Sequence, residues 1–295
     1  MKIKLKWLTL PVLALVAALF AACNEKTVVP EPEPEPLPTY SVQEEDFETT
    51  RDGLKVGGVL FTPEGLEGRK PAIILCHGLS GSWKDCEIYG RVSARMGLVA
   101  CCFDFCGGHK GASRSGGKLE DNTITTEVRD VSAVYDALAA RPDVDPSKIF
   151  LMGGSQGGLV AALYAAENPR GIAALGLLFP AFNLPSLVRL EVRATYGGLN
   201  NLPDYVVYSG FTIWRAYAVD AYYIYPYDVI GAYEGPVLIL HGDKDELVPP
   251  YYSEEAVGVY SNASFILMEG QGHGFDAGGT DEAIELFKLF LSKYL

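Results

Sequence analysis

Histidine is scarce in this chain: four in 295 residues, His77, His109, His241 and His273. Any chemistry that needs an imidazole must draw on one of these four. No C-x-x-C and no H-E-x-x-H occurs, so the common zinc spacings are missing and a zinc site is not expected. Basic residues are also short, 24 Lys and Arg against 37 Asp and Glu, for a formal charge of −13. That deficit argues against nucleic acid or another polyanion as a partner. Neutral or weakly charged small molecules remain.

Cysteine is limited to six residues. Cys76, Cys101 and Cys102 fall in apolar runs, where a thiol packs as a small apolar group. A Cys86–Cys106 bridge is conceivable in an exported protein, although the spacing alone does not support it. Cys23 belongs to a different feature. Lys2, Lys4 and Lys6 precede an apolar stretch, Trp7 to Ala22, that is short for a membrane span and closes on Phe20-Ala21-Ala22-Cys23. The pattern resembles a bacterial lipoprotein signal, with residues 1–22 removed and Cys23 lipidated. An ordinary signal peptide is the alternative. Residues 23–39 include Pro30-Glu31-Pro32-Glu33-Pro34-Glu35-Pro36, an extended charged spacer suited to holding a domain off a surface. The expected location is outside the cytoplasm, at the outer membrane or cell surface. Without residues 1–22 the chain keeps 21 basic against 37 acidic side chains, a formal −16.

What the chain does contain is one informative junction. The β-run Lys148-Ile149-Phe150-Leu151-Met152 passes directly into Gly153-Gly154-Ser155-Gln156-Gly157-Gly158, then into the strong helix former Leu159 to Ala166. Strand, sharp turn, helix is the context in which the serine of G-x-S-x-G is lifted clear as a nucleophile. Small neighbours let the backbones of so tight a turn approach one another. The bland alternative is a glycine-rich turn with a serine N-cap.

On such a sheet a triad appears in the order Ser, Asp or Glu, His. His77 and His109 precede the serine, and His241 ends the run Pro236 to Leu240, ahead of the acidic loop Gly242-Asp243-Lys244-Asp245. Only His273, in Gly270-Gln271-Gly272-His273-Gly274-Phe275, follows both that loop and the run Ser264 to Met268. Asp245 is the favoured acid, because it stands farther from the strand end; Asp243 is expected to brace its own loop. Ser155 would attack an acyl carbonyl, His273 would carry the proton, and Asp245 would fix the imidazole tautomer. The backbone N–H groups of Gln156 and Leu79 are the expected oxyanion donors, and His77 is expected to hold its loop.

Strand-like runs alternate with amphipathic segments, which predicts an α/β fold with a mostly parallel sheet covered on both faces. Tyr40–Glu48 and Leu54–Thr62 read as an antiparallel entry. The runs 73–76, 98–103, 149–152, 172–179, 237–240 and 265–268 read as buried central strands. Helical spacing over 122–140 places Val128, Val131, Val134, Tyr135 and Leu138 on one face.

Over about residues 54–293 the chain resembles α/β-hydrolases of the cinnamoyl and feruloyl esterase group. The motifs that carry the likeness are His77-Gly78-Leu79-Ser80-Gly81, Phe103-Asp104-Phe105, Gly117-Lys118-Leu119-Glu120-Asp121-Asn122 and Glu127-Val128-Arg129-Asp130. Gly154-Ser155-Gln156-Gly157-Gly158, His241-Gly242-Asp243-Lys244-Asp245 and Gly272-His273-Gly274-Phe275 complete them. The loop Phe105-Cys106-Gly107-Gly108-His109-Lys110-Gly111 departs from the group's pattern. The resemblance implies an α/β-hydrolase fold over 40–295, with Ser155, Asp245 and His273 as its triad and no cofactor. The expected lid spans about 182–232 and holds eight of the seventeen tyrosines. About six of them are expected only to pack, while the resemblance puts Tyr227 at the substrate's phenolic end. The reading is a serine carboxylic ester hydrolase acting on feruloyl, hydroxycinnamoyl or related esters, free or polysaccharide-linked. A serine exopeptidase of the prolyl-oligopeptidase type and a non-catalytic binding protein on the same scaffold stay open as alternatives.

Overall fold

The computed structural model describes residues 39–109, 111–208 and 210–295. The expected signal segment, Cys23 and the Pro/Glu-rich spacer up to residue 38 lie outside the described residues.

The chain enters through an antiparallel hairpin, β1 (Val42–Arg51) and β2 (Leu54–Pro63). Asp52 and Gly53 turn it with φ of 51° and 80°, the backbone twist that two-residue hairpins favour. Then follow β3 (Lys70–Cys76), α1 (Glu87–Arg95), β4 (Val99–Phe103), α2 (Ile124–Ala139), β5 (Val144–Gly154), α3 (Gln156–Glu167) and β6 (Leu175–Leu178). An insertion holds α4 (Leu184–Tyr196), a separate hairpin of β7 (Tyr205–Tyr208) and β8 (Phe211–Trp214), α5 (Arg215–Tyr222) and the short α6 (Pro226–Val229). The chain ends with β9 (Val237–Gly242), α7 (Tyr251–Val259), β10 (Ala263–Met268) and α8 (Ala277–Ser292).

Eight strands form one sheet in the order β1-β2-β4-β3-β5-β6-β9-β10. Pairing is antiparallel at β1/β2 and β2/β4 and parallel from β4 onward. Because side chains alternate along a strand, each strand feeds two cores. Ile74, Leu151 and Ile239 point into one core with Val128, Val131 and Val134 of α2 and Leu159 to Ala165 of α3. Ile73, Phe150 and Leu240 point into the other with Tyr89 of α1 and Phe287 and Leu291 of α8. This is the α/β-hydrolase fold, a mostly parallel sheet with helices on both faces.

Two expected strands need correction. The run at 172–179 gives only a four-residue strand, Leu175–Leu178, which ends where Phe179 turns out of it with φ 37°. The run at 265–268 is an edge strand rather than a buried central one. β10 pairs only with β9 among the described residues, and Leu267 is left exposed. Helix α2 starts one residue after its N-cap, Thr123, whose hydroxyl accepts the Thr126 N–H. The five cysteines from Cys76 onward are free and buried, so Cys86 and Cys106 are not bridged.

Candidate active site

β5 ends at Gly154 and α3 begins at Gln156, so Ser155 alone makes the turn, at φ 53° and ψ −122°. A β-carbon-bearing residue is held there against its backbone preference, as at strained functional turns. The turn is fixed from both sides. Ser155 N–H donates to Leu178 O at 2.9 Å, and its carbonyl accepts from Gly158, Leu159 and Ala181. Its hydroxyl makes no N-cap bond, which removes the bland reading. The flanking glycines are required by contact. A Cβ at Gly157 would overlap the carbonyl oxygens of Cys76 and His77, and one at Gly153 would overlap the carbonyl of Gly157.

Three distant segments meet at this turn. His273, in the loop after β10, has Nε2 2.9 Å from Ser155 Oγ and Nδ1 2.7 Å from Asp245 Oδ2. With Asp245 accepting at Nδ1, the neutral ring carries its proton there and offers Nε2 to the serine hydroxyl. The ring stands edge-on to Phe179 at 4.9 Å, and Phe179 meets Phe275 at 4.8 Å. Asp245 Oδ1 accepts the N–H groups of Leu247 at 3.0 Å and Val248 at 2.8 Å. Burial by itself would raise this carboxyl. Hydrogen bonds from His241, His273 and Val248 outweigh it and hold Asp245 well below the usual carboxylate range. Asp243 takes no part in this chain and instead accepts Gly270 N–H at 2.6 Å, bracing the loop.

His77 and His109 are structural. His77 is buried, with Nδ1 2.8 Å from Gly78 O and Nε2 accepting Phe105 N–H at 3.2 Å. Burial depresses its pKa, so the ring stays neutral. His109 sits with Nδ1 2.9 Å from Gly81 O, so the loop that departs from the family pattern supports the turn after β3. That turn lies against the serine: a Cβ at Gly78 would stand 3.3 Å from Ser155 Cβ. Leu79 N–H finds no protein acceptor among the described residues. Gln156 is the first residue of α3, where an amide has no intrahelical acceptor. Both residues border the same cavity as Ser155 and His273.

That cavity has a volume of about 460 Å³, large enough for a small-molecule ligand. Its walls are mainly apolar, with Leu184, Leu187, Val188, Leu202, Phe211 and Ile213 contributed by the insertion. Among the described residues, Tyr196 and Tyr217 are the insertion tyrosines on its lining. Tyr227 is not among the lining residues. Its hydroxyl donates to Tyr252 O at 2.8 Å and its ring packs on Phe182 at 5.7 Å. The expected substrate contact from Tyr227 is therefore corrected to a packing role that ties α6 to α7.

Three participants were not foreseen. His241 is fully buried, with Nε2 2.7 Å from Val248 O and 3.2 Å from Asp245 Oδ2, and Nδ1 2.7 Å from Ser253 Oγ. Glu127 and Tyr217 flank the side chain of Gln156. Gln156 Nε2 donates to Glu127 Oε2 at 2.7 Å, and Tyr217 OH donates to Gln156 Oε1 at 2.5 Å. A readable signal existed for Glu127, which lies three residues after Ile124 and four before Val131, on the apolar stripe of α2.

The family model Hydrolase_4 (serine aminopeptidase, S33) matches residues 68–207, a span that carries Ser155 but neither Asp245 nor His273. Est1E from Butyrivibrio proteoclasticus with ferulic acid bound is 28% identical, with a TM-score of 0.73 over 84% of this chain and 99% of that one. An uncharacterized protein of Mycobacterium tuberculosis is 26% identical over 90% of this chain and 88% of its own length. Monoacylglycerol lipase abhd6-B of Xenopus laevis is 31% identical over 41% of this chain and about a third of the lipase, 34%. Fold and matches together support a hydrolase on the α/β-hydrolase scaffold.

Proposed function

We propose that the protein is a serine carboxylic ester hydrolase working through an acyl-enzyme, with Ser155, His273 and Asp245 as its triad. The observation that carries this reading is the continuous hydrogen-bonded chain from Ser155 Oγ through His273 to Asp245 at the edge of the cavity. In the proposed reaction Ser155 Oγ attacks the ester carbonyl as His273 Nε2 takes its proton. The oxyanion is received by the N–H groups of Leu79 and Gln156. His273 returns the proton to the departing alcohol, and water then cleaves the acyl-enzyme by the same route.

The favoured acyl groups are feruloyl, hydroxycinnamoyl and related units, free or attached to polysaccharide. Two observations support an aromatic or otherwise apolar acyl group: the apolar walls of the cavity and the likeness to Est1E with ferulic acid bound. The S33 aminopeptidase description of the matching family favours a peptidase as the second reading. Export and anchoring through a lipidated Cys23 are part of the proposal, supported by the segment Lys2 to Cys23.

One substrate panel tests the activity: methyl ferulate, p-nitrophenyl butyrate and an aminoacyl-p-nitroanilide. Methyl ferulate should turn over fastest, and Ser155→Ala should lower kcat by about 10⁴ or more. Preference for the anilide would move the chain to the peptidase reading. Undiminished turnover in Ser155→Ala would remove the nucleophile assignment.

A further inference from the structure

The side chain that follows the nucleophile is held in a buried polar chain that does not touch the triad. Gln156 is almost fully buried. Its Oε1 accepts Tyr217 OH at 2.5 Å and its Nε2 donates to Glu127 Oε2 at 2.7 Å. Glu127 Oε1 accepts Asn122 Nδ2 at 3.1 Å, and the same Nδ2 reaches Cys106 O at 3.2 Å. In its ionised form Glu127 faces a donor at each oxygen, which fixes which way the Gln156 amide points. Burial, opposed by those two hydrogen bonds and reinforced by Asp130 and Asp220, pushes the Glu127 carboxyl up to about 8.

The chain crosses three elements. Glu127 is on α2, Gln156 opens α3, and Tyr217 belongs to α5 of the insertion. Tyr217 is also a wall of the cavity. α5 is clamped a second time, because Asp220 accepts both the N–H and the hydroxyl of Thr125 at 2.9 and 2.6 Å. A group pressing on Tyr217 from inside the cavity thus presses on a residue hydrogen-bonded to Gln156.

We infer that Glu127 and Tyr217 are positioning residues for the oxyanion donor at Gln156, and that Tyr217 couples occupancy of the insertion-walled part of the cavity to that donor. The inference rests on the ester-hydrolase reading above. Its consequence is a specificity expressed in kcat rather than KM. Acyl groups long enough to reach Tyr217 hold the Gln156 N–H in place at the moment when charge develops on the carbonyl oxygen. An acetyl ester, too short to reach it, gains nothing.

Two conservative variants test it. Tyr217→Phe keeps the ring and removes the hydroxyl; Glu127→Gln keeps the shape but presents an NH₂ to one of its two donors, and both are compared with wild type at about pH 9, where the native Glu127 is a carboxylate. With p-nitrophenyl butyrate or methyl ferulate, each should lower kcat about tenfold and leave KM within about twofold. An arylboronic acid, which mimics the tetrahedral species on Ser155, should lose about tenfold in affinity while inhibition by the product acid is unchanged. The double variant should lose little more than either single, because both act through Gln156. With p-nitrophenyl acetate the loss in Tyr217→Phe should shrink to about twofold or less. Thermal melts accompany each variant, and either folded variant suffices for the kinetic comparison. Unchanged kcat and boronate affinity in a folded variant, or losses confined to KM, overturns the inference while leaving the hydrolase reading intact. A wild-type chain with no esterase activity and no labelling of Ser155 by a fluorophosphonate overturns both.

Discussion

Asp245 shows how a single residue is selected from two candidates. Both acids in the loop after β9 accept backbone N–H groups, but their targets differ. Asp243 turns back to Gly270, whereas Asp245 spends one oxygen on its own loop and keeps the other for His273. His241 closes off the remaining space beside that oxygen. A buried carboxylate so well supplied with donors stays ionised, which is the state that stabilises an imidazolium on His273. Replacing Asp245 with Asn should lower kcat by about 10⁴ on any ester the enzyme turns over. Asp243→Asn should cost less than about tenfold, since it perturbs a brace. Steady-state kinetics on the two purified variants checks this, and the reverse order would transfer the acid role to Asp243.

At the scale of elements, the decisive unit is the β5–α3 turn. Its glycines are not equivalent. Gly157 lies against two backbone carbonyls that cannot move without shifting β3, while the space next to Gly154 ends at the ring of Phe179 at 3.5 Å. Gly157→Ala should therefore destabilise the fold by about 1–3 kcal/mol and lower kcat by displacing the neighbouring Gln156. Gly154→Ala should change stability by less than about 1 kcal/mol. Urea unfolding of the two variants measures both effects, and equal losses would mean the close approach at Gly157 is not what fixes the turn. The turn and its order relative to the later acid and histidine were legible in the sequence, because strand, glycine and helix signals are local. The insertion was legible only as a tyrosine-rich stretch. Which tyrosines line the cavity depends on how α4, α5 and the β7–β8 hairpin pack, and Tyr227 went to the wrong side of that division.

For the molecule as a whole, one buried group sets a pH dependence of stability that differs from that of Asp245. Glu127 in the folded protein holds its proton up to about 8, well above its ordinary value near 4.5. Between these two limits the folded chain binds a proton that the unfolded chain has released, so the contribution of Glu127 falls as pH rises. Asp245 acts oppositely: its depressed carboxyl stabilises above the ordinary value, and that contribution is lost only in strong acid. The stability of wild type relative to Glu127→Gln should thus decline by at least about 1 kcal/mol from pH 5 to pH 8. Denaturant melts at several pH values measure the difference; a flat difference would mean that Glu127 is ionised throughout.

The sequence by itself determined the sheet's alternation, the strand-to-helix turn at Ser155 and the chain order of serine, aspartate and histidine, because periodicity and turn chemistry act over a few residues. It did not determine that His241 would back Asp245, that Glu127 on an apolar helical stripe would meet Gln156, or that Tyr217 rather than Tyr227 would wall the cavity. Those pairings join residues 29 and 61 positions apart in the Gln156 chain. They arise only when packed elements exclude water and leave each buried polar group to find its partner within the protein.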